Sequence, residues 1–367
     1  MKPICIVFLL ILFWISACGP KKTESIPVFE LKAEPWDYKI SDIVSLETGL
    51  DFLISGEAKV KFGKRGIFLL DNNRQDAIHA FSPEGNYQGR LVQVGEGPGQ
   101  VNNITDFLPS DEGIEVLTGK GENSKILFFN YEGEIIEESN LGLLAFSFHK
   151  TQDGEYLFNT GYNLPLEKER LTRWSKDGEK LQVYLVNDYE GVHLPMSETN
   201  FFNSREKIFY KEVFNPTVYE VEKDSLRPAY YLDFGRYGVP EGFWQKDIMD
   251  IFGSMSEQGF ADIWFFSQNE RHAYIHVVKQ QNREMEHHIL LRDHQTGEIK
   301  KREIDTSGSD LFKQPIGMAE DGKLLFLVHP VTLKNHAENE ELELKWLPLI
   351  KGLDREDNPL IIRVDVE

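Results

Sequence analysis

The chain has 367 residues and carries 60 acidic against 40 basic side chains, which gives a formal net charge of −20. Phosphate backbones repel so acidic a chain, which excludes nucleic-acid binding as its main role. It contains only two cysteines, Cys5 and Cys18, so a framework of several disulfides and a site built from several cysteine ligands are also excluded.

The first predicted element is an apolar segment near the amino terminus. Lys2 precedes an almost unbroken apolar run from Ile4 to Ile15, and Ser-Ala then leads into Cys18. This order is typical of a bacterial lipoprotein signal, and the run is shorter than the roughly 20 residues that span a bilayer. We predict a signal peptide over residues 1–17, cleavage before Cys18 and acylation of its thiol. The alternative is an ordinary cleaved signal with a chance cysteine.

A short tether is predicted to follow the signal. Residues 19–23 are polar and poor in apolar side chains, so residues 18–27 are interpreted as a lipidated tether that holds the folded body close to the membrane. With Cys5 removed and Cys18 acylated, that body would hold no thiol and therefore no disulfide, no cysteine nucleophile and no cysteine metal ligand. We predict one domain over residues 28–367.

Within that domain the pattern predicts strands. Short runs rich in Val, Ile, Phe, Tyr and Leu are broken by Gly, Asp, Asn or Pro every eight to twelve residues. One hairpin recurs at intervals of 48, 45, 46 and 72 residues, marked by turn residues Glu84, Glu132, Asp177, Lys223 and Gln295. A second family of hairpins lies between these, so each unit of about 45 residues holds four strands, which is typical of a β-propeller.

Six such units can be counted. They cover residues 54–94, 104–138, 145–186, 200–234, 263–304 and 315–366. The sixth lacks one strand, which residues 28–46 can supply, and this closure would remove an open sheet edge. We therefore predict an all-β fold, a six-bladed β-propeller with four-stranded antiparallel blades, closed by pairing of its N- and C-terminal strands.

Two stretches interrupt the strand pattern and are predicted as short helical insertions. Residues 240–252 have Pro at a plausible first helical position and apolar residues at helical spacing. Residues 337–350 are acidic and then apolar. Both insertions are expected to decorate the propeller without forming domains.

Several short pieces, taken in chain order, carry a resemblance to a known family. They are Ile40–Ile43, Ser45–Thr48, Val94–Gln100, Asn215–Tyr219, Arg227–Gly235 and Glu356–Leu360. Together with the segment that ends at Cys18, they resemble the six-bladed β-propeller lipoproteins common in Bacteroidetes, a family related to NHL-repeat propellers. The resemblance implies the fold and an exported, lipid-anchored location at the outer membrane or the periplasmic face of the cell envelope. It implies no catalytic residue.

The glycine-rich segment Val94–Gln100 invites comparison with a phosphate-binding loop. It lacks the Gly-x-x-x-x-Gly-Lys-Ser/Thr pattern, and Pro98 removes a backbone donor. A tight connection between two blades is the better interpretation.

The histidines do not predict a local metal site. His272 and His276 lie on a predicted strand, where their spacing places them on one face about 13 Å apart. His287 and His288 would point to opposite faces. A metal shared by several blades at the central axis needs no local spacing, and His149, on a predicted inner strand, is its candidate.

Binding residues are expected where the loops between second and third strands, and those between blades, converge on one face. The candidates on these loops and on an inner strand are Asn72, Arg74, Gln100, Asn103, His149, Asn163 and Asn215.

We predict a monomeric, non-enzymatic binding or scaffolding module that uses no cofactor and no metal. Its partners would be the membrane, through the lipid, and an envelope protein, a peptide or a glycan, for which loop aromatics would form a stacking platform. The alternative is an enzyme, a lyase or lactonase-type hydrolase, with a metal or polar cluster in the central channel.

Overall fold

A computed structural model describes residues 23–366 apart from 74–75, 121–122, 165, 188–192, 195–197, 246–247, 306–307, 320 and 340–342. Cys18 and Arg74 lie outside the described residues. The described chain forms six antiparallel sheets arranged as a ring. The inner strands of successive blades contact one another, and the inner strand of the sixth blade contacts that of the first. The predicted six-bladed β-propeller is confirmed.

The strands follow the chain blade by blade, after two amino-terminal strands, β1 (Ser25–Pro27) and β2 (Tyr38–Ser45). Blade 1 holds β3 (Lys59–Gly63), β4 (Gly66–Asp71), β5 (Ala77–Phe81) and β6 (Tyr87–Gln93). Blade 2 holds β7 (Asp106–Pro109), β8 (Gly113–Lys120), β9 (Asn123–Asn130) and β10 (Ile135–Asn140).

Blade 3 is accompanied by an extra two-stranded ribbon, one strand of which lies between its second and third strands and the other after its fourth strand. The blade holds β11 (Ser147–Lys150), β12 (Tyr156–Asn159), β14 (Glu169–Trp174) and β15 (Lys180–Val186), and the ribbon pairs β13 (Tyr162–Asn163) with β16 (His193–Leu194). Blade 4 holds β17 (Phe201–Ser204), β18 (Lys207–Tyr210), β19 (Thr217–Val221) and β20 (Leu226–Asp233).

Blade 5 contains long strands, and blade 6 combines strands from both ends of the chain. Blade 5 holds β21 (Phe260–Gln268), β22 (His272–Gln281), β23 (Glu284–Asp293) and β24 (Ile299–Glu303). Blade 6 holds β25 (Pro315–Met318), β26 (Leu324–Val328) and β27 (Leu360–Val366), with β2 as its outer strand.

The burial of each strand depends on its position in the blade. All six residues of β4 and all five of β26 are buried, because both faces of a middle strand pack against neighbouring blades. These strands are consequently almost wholly apolar, as expected for sheets covered on both faces. The outer strand β10 is exposed at every position. The core is therefore largely a set of apolar layers between neighbouring blades.

The amino-terminal segment runs along the outside of three blades. β1 adds to blade 4 as a fifth strand, parallel to β20, and Ala33 makes a parallel bridge to Lys301 of blade 5. β2 then pairs antiparallel with β27, with Tyr38 opposite Val366. The predicted closure by the chain's two ends is confirmed. The sheet structure begins before residue 28, since β1 lies within the segment interpreted as tether.

The helical insertions differ from their predicted bounds. α1 spans Ile248–Gln258, and the start of the predicted segment 240–252 forms only a 3-10 turn at Phe243–Gln245. Gly259, at φ +93°, ends α1 with its N–H on the carbonyl of Met255.

The second predicted insertion is two helices. α2 spans Pro330–Asn339 and α3 spans Leu347–Gly352, so the helices flank most of the predicted segment 337–350. Pro330 opens α2 directly after β26, where a proline costs no helical hydrogen bond. Within the described part of the chain, no helix is long and apolar enough to cross a bilayer.

Several histidines are buried in the layers between strands. His79 and His288 are 0% and 3% exposed, and burial lowers the pKa of each to about 4. Burial also holds the pKa of His276 well below its ordinary value. His276 Nε2 lies 3.0 Å from Nδ1 of His287 on the neighbouring strand, a cross-strand pair that the spacing along the chain did not reveal. His288 packs edge-on against Phe29.

The closing strand generates a first prediction. Ile40, in β2, is 4% exposed, whereas Ile136, in the outer strand of blade 2, is 59% exposed. We expect Ile40→Ala to lower the free energy of unfolding by about 2–4 kcal/mol, because it leaves a cavity in a buried layer. Ile136→Ala should change it by less than about 0.5 kcal/mol. Urea unfolding of the purified chain measures both, and equal effects would contradict β2 as the closing strand.

The buried histidines predict loss of stability in acid. In the unfolded chain a histidine titrates near pH 6.5, whereas His79 and His288 stay neutral when folded until the pH falls to about 4. Protons therefore bind the unfolded chain first as the pH falls from 6.5. Each histidine should cost about 2 kcal/mol of stability between pH 7 and pH 5. Burial raises the pKa of Asp262 to about 7, so protonation of this one carboxyl group favours the folded chain as the pH falls. The two histidines outweigh it.

A variant isolates one of these histidines. Urea unfolding at pH 7 and pH 5 should show that His288→Leu removes about 2 kcal/mol of the acid loss. The exposed His294 provides the matched control, and His294→Gln should keep most of the wild-type pH dependence. An unchanged pH dependence in His288→Leu would show that His288 is not buried in neutral form.

Candidate functional site

The functional face of the ring is defined by its connections. The loops that join the second to the third strand of each blade, and those that join one blade to the next, lie at the end of the ring where the inner strands begin. We call this end the top face. All three α-helices that the structure describes belong to such connections, so the top face carries the longest insertions in the described chain.

Three predicted binding residues lie on top-face loops of blades 1 and 2, where they hold the loops together. Asn72 Nδ2 donates to the carbonyl of Ile104 at 3.4 Å. Gln100 Oε1 accepts from the Gly97 N–H at 2.7 Å, inside a loop closed by a bridge between Val94 and Val101. This geometry supports the interpretation of the glycine-rich segment as a tight connection.

Asn103 fixes the same connection to blade 2. Its Oδ1 accepts from Thr118 Oγ1 and from the Gly119 N–H, both at 2.9 Å. The polar atoms of Asn103 are therefore used within the fold.

Two more predicted residues lie on the top face of blades 3 and 4. Asn163, in β13, is fully buried and donates through Nδ2 to the carbonyl of Thr160. Among the described residues its Oδ1 has no hydrogen-bond partner. Asn215 donates from Nδ2 to Glu212 Oε1 at 3.0 Å and accepts the Thr217 N–H at 3.1 Å. The sixth candidate that the structure describes, His149, is separate from these and lies on the inner strand β11.

The top face of blades 3 and 4 is organised around one buried carboxylate, Glu212. Its two oxygens accept hydrogen bonds from Arg170, one from Nε at 3.0 Å and one from Nη2 at 3.1 Å. They also accept from Tyr210 Oη at 3.1 Å and from Asn215 Nδ2 at 3.0 Å. A carboxylate has about four acceptor sites, and these four donors fill them. Glu212 therefore fixes the surrounding loops and offers no free atom to a ligand.

An unusual backbone conformation follows immediately. Phe214 has φ +62°, in the left-handed region that bulky side chains rarely adopt and that costs them about 1–2 kcal/mol. Its N–H donates to the carboxylate of Asp262, in β21 of the next blade. Its ring packs against Phe243 and Phe260, with centroids 5.0 Å and 5.4 Å away. Non-glycine residues held in this region cluster at functional sites.

Three charged side chains, Lys211, Glu198 and Asp262, lie beside Phe214 on the top face. Lys211 Nζ donates to Glu198 Oε2 at 2.6 Å, and Asp262 lies close enough to feel the charge of both residues. Burial raises the pKa of Asp262 to about 7, and the nearby negative charge of Glu198 acts in the same direction. The nearby positive charge of Lys211 acts against both effects. Asp262 is only partly buried.

Aromatic rings cover the other side of Phe214. Tyr162 and Trp244 stack with centroids 4.4 Å apart, and Arg170 lies over the Tyr162 ring at 4.9 Å. The aromatic patch consists of Tyr162, Phe214, Phe243, Trp244, Phe252 and Phe260. Trp244 is half-buried and presents part of its ring to solvent. We call the aromatic patch together with Glu198, Lys211 and Asp262 the mouth site.

A second charged group lies on the inner strands of blades 1 and 2. Lys59 Nζ and Lys61 Nζ lie 3.2 Å and 2.9 Å from the same oxygen, Oδ1 of Asp106. Burial alone would raise the pKa of Asp106, but the two lysines hold it below its ordinary value. His149 is buried nearby with its pKa lowered to about 4, and its ring stacks on Phe201 at 5.9 Å.

Neither charged group has the composition of a metal centre. Within the described ranges, no three His, Cys, Asp or Glu side chains are placed to share a metal ion. The charged neighbours of His149 are Lys61 and Asp106, and the lysine would repel a cation. The structure therefore does not assemble the shared axial metal site for which His149 was the candidate.

Comparison with one solved structure agrees with the architecture. A Bacteroides fragilis protein inferred to be exported superimposes with a TM-score of 0.75 at 18% identity, over 90% of this chain and 95% of that one. An aldose sugar dehydrogenase from Streptomyces coelicolor gives a TM-score of 0.45 at 10% identity, over 91% of this chain and 99% of that one. At 18% identity, the similarity to the Bacteroides fragilis protein concerns the fold alone.

A search of curated proteins finds no match. A family model, described as a domain of unknown function (DUF4934), matches residues 30–365, which is almost the whole of the described propeller. The chain is therefore a member of the DUF4934 family.

Proposed function

We propose that this protein is an exported, lipid-anchored binding protein of the cell envelope, and that it binds a carbohydrate ligand at the mouth site. The observation that carries the proposal is Phe214. Its left-handed backbone joins an aromatic patch on one side to the partly buried Asp262 on the other. The surrounding hydrogen bonds maintain a conformation that packing alone would not select.

The aromatic patch provides one half of the chemistry that a sugar requires. The C–H face of a sugar ring stacks on a flat aromatic surface, and Trp and Tyr offer such a surface with little conformational freedom to lose. Tyr162 is held rigidly, since its hydroxyl donates to the carbonyl of Val213 at 3.0 Å and Arg170 covers its ring. Trp244 stacks on Tyr162 and is the more exposed of the two. We expect Trp244 to contact the ligand.

The charged group provides the other half. Hydroxyl groups of a sugar donate to carboxylates, and Glu198 and Asp262 are both partly exposed next to the patch. A few convergent polar groups beside an apolar surface are the usual composition of a small-ligand site. Lys211 is buried and paired with Glu198, so it orients that carboxylate and limits the repulsion between the two acids.

The course of β1 supports an anchored orientation. β1 runs parallel to β20, whose carboxyl end leads to the top face. The chain before Ser25 therefore runs back along β20, and Thr23 Oγ1 donates to the carbonyl of Pro228 at 3.1 Å. A lipid on Cys18 would draw the opposite face of the ring toward the membrane. The mouth site would then face away from the lipid surface.

Asp262 favours a second candidate function, an enzyme of the lyase or hydrolase type. A carboxyl group whose pKa is near 7 is suited to proton transfer at neutral pH. Lys211 and Glu198 beside it form a polar cluster at the entrance of the channel. In this alternative the aromatic patch positions the substrate and Asp262 moves the proton.

A glycan array followed by calorimetry tests the proposal. We expect Trp244→Ala to weaken binding of the best glycan by about tenfold or more, since one aromatic stacking contact contributes about 1–3 kcal/mol. Tyr231→Ala is the matched control, because Tyr231 is 40% exposed on β20 of blade 4 and is not part of the aromatic patch. Binding that both variants reduce equally, or no binding to any glycan, would contradict the proposed ligand.

The same glycan distinguishes binding from turnover. If the protein only binds, the glycan is recovered unchanged after incubation, and Asp262→Asn alters affinity alone. If the glycan is converted and Asp262→Asn stops the conversion without loss of binding, the enzyme alternative is correct. Mass spectrometry of the recovered glycan distinguishes the two outcomes.

The anchor is tested by one substitution in the full-length chain. Cys18→Ala should move the protein from the membrane fraction to the soluble fraction of the host cell, because the thiol that receives the lipid is removed. Detergent phase partitioning measures the distribution. The wild-type protein should acquire lipid mass on its mature amino terminus, and a wild-type protein that is cleaved but not lipidated would contradict the anchor.

A further inference from the structure

A second group of charged and polar side chains lies on the inner strands of blades 1 to 3, apart from the mouth site on blades 3 to 5. We propose that Lys59, Lys61 and His149 form a binding site for a small oxyanion, meaning a carboxylate, sulfate or phosphate group. The site lies in the central channel, and its ligand would be either a free anion or an acidic substituent of a larger molecule.

The two lysines converge by strand geometry. Residues two apart on a strand point to the same side, and Lys59 and Lys61 stand on that side of β3. Each reaches across to β7 and places its ammonium group on Oδ1 of Asp106, at 3.2 Å and 2.9 Å. The lysine side chains are only 19% and 22% exposed, and that of Asp106 is 4% exposed. Two cations are thus concentrated in a poorly solvated space.

The charges in this group do not balance. Asp106 supplies one negative charge, and its other oxygen accepts the Phe148 N–H at 3.3 Å. Lys61 makes one further bond, to the carbonyl of Phe107 at 2.5 Å, which carries no charge. Among the described residues, Asp106 is the only partner of the Lys59 ammonium, which has three donors. One positive charge and free N–H donors remain, and a poorly solvated charge favours a counter-ion.

His149 adds a neutral donor at the same place. Its charged neighbours are Lys61 and Asp106, and no hydrogen bond to either ring nitrogen occurs within the described part of the chain. The residue is 8% exposed, and neither ring nitrogen is among the fully buried polar atoms that lack a partner. A neutral imidazole beside two ammonium groups donates readily to an anion and does not favour a metal cation.

The charge-assisted bonds suit an oxyanion better than a halide. Ammonium and imidazole donors directed at one space match the several acceptor oxygens of a carboxylate, sulfate or phosphate. The single excess charge also explains how a chain of net charge −20 can take up an anion, since only the local balance matters at contact distance.

Isothermal titration calorimetry with sodium acetate, sodium sulfate and inorganic phosphate tests the site, with sodium chloride at matched ionic strength as the reference. We expect saturable binding of at least one oxyanion and none of chloride. Lys59→Gln and Lys61→Gln should each weaken binding by about tenfold or more, as loss of a charged hydrogen bond predicts. Lys64→Gln, on a lysine that is 79% exposed and paired with Asp111, should leave it unchanged.

A variant of opposite sign separates a binding site from a structural ion pair. Asp106→Asn removes the competing negative charge and should tighten oxyanion binding, whereas a purely structural cluster would lose stability in every variant and bind nothing. Lys59→Arg keeps the charge and should retain binding, which guards against misfolding of the other variants; circular dichroism checks each fold. The proposal is overturned if no oxyanion binds saturably, if Lys64→Gln matches the other lysine variants, or if folded Asp106→Asn binds more weakly.

Discussion

The pairing of β2 with β27 is the constraint on which the rest of this structure depends. Every blade buries both of its faces against its neighbours, so a ring that stays open would expose two apolar layers at once. β2 pairs from Tyr38 to Ser45 along almost the whole length of β27. Its Ile40 and Ile43 enter the same cluster as Tyr274 and Ile289, which links the chain's two ends to blade 5 as well. The residues that close the ring are therefore also part of its core.

The amino-terminal segment extends this closure beyond a single strand. Because β1 and the Ala33 bridge attach to blades 4 and 5 before β2 reaches blade 6, the segment binds three blades from outside. Ile26 and Val28 are almost fully buried in the layer that contains Phe266 and Leu290. In a body expected to lack disulfides, such a segment restrains the blades by apolar burial and by main-chain hydrogen bonds. It also fixes where the chain leaves the ring, which decides how a tethered propeller would be oriented.

The mouth site illustrates how local strain is maintained by its surroundings. The left-handed backbone of Phe214 costs about 1–2 kcal/mol. Burial of a phenylalanine ring contributes about as much or more, and the N–H of Phe214 is satisfied by Asp262. The preceding Glu212 cannot shift without breaking four hydrogen bonds. The arrangement is stable because packing and hydrogen bonding both oppose relaxation, and it leaves Asp262 and Trp244 in defined positions.

The sequence predicts the architecture well because propeller blades are local units. Hairpin turns recur at a nearly constant interval, and each strand run is bounded by turn residues. The parallel strand β1 escaped prediction because three residues carry no periodicity. The helix bounds shifted because apolar residues of the aromatic patch, such as Phe243 and Trp244, imitate helical spacing while packing on Tyr162 and Phe214.

Site residues were harder to predict, since turn chemistry and ligand chemistry use the same side chains. Gln100, Asn103 and Asn215 occur where polar side chains favour loops, and the structure shows their polar atoms bonded within those loops. Lys59, Lys61 and Asp106 did leave a signal, because charged residues at the start of short inner strands are out of place in an apolar layer. The sequence could not reveal that the ammonium group of Lys59 lies within hydrogen-bond distance of Asp106 Oδ1, although the two residues are 47 positions apart. Ring geometry brings the starts of all inner strands around a common axis, so unpaired charges at those positions are the first places to look for a ligand in a propeller of this kind.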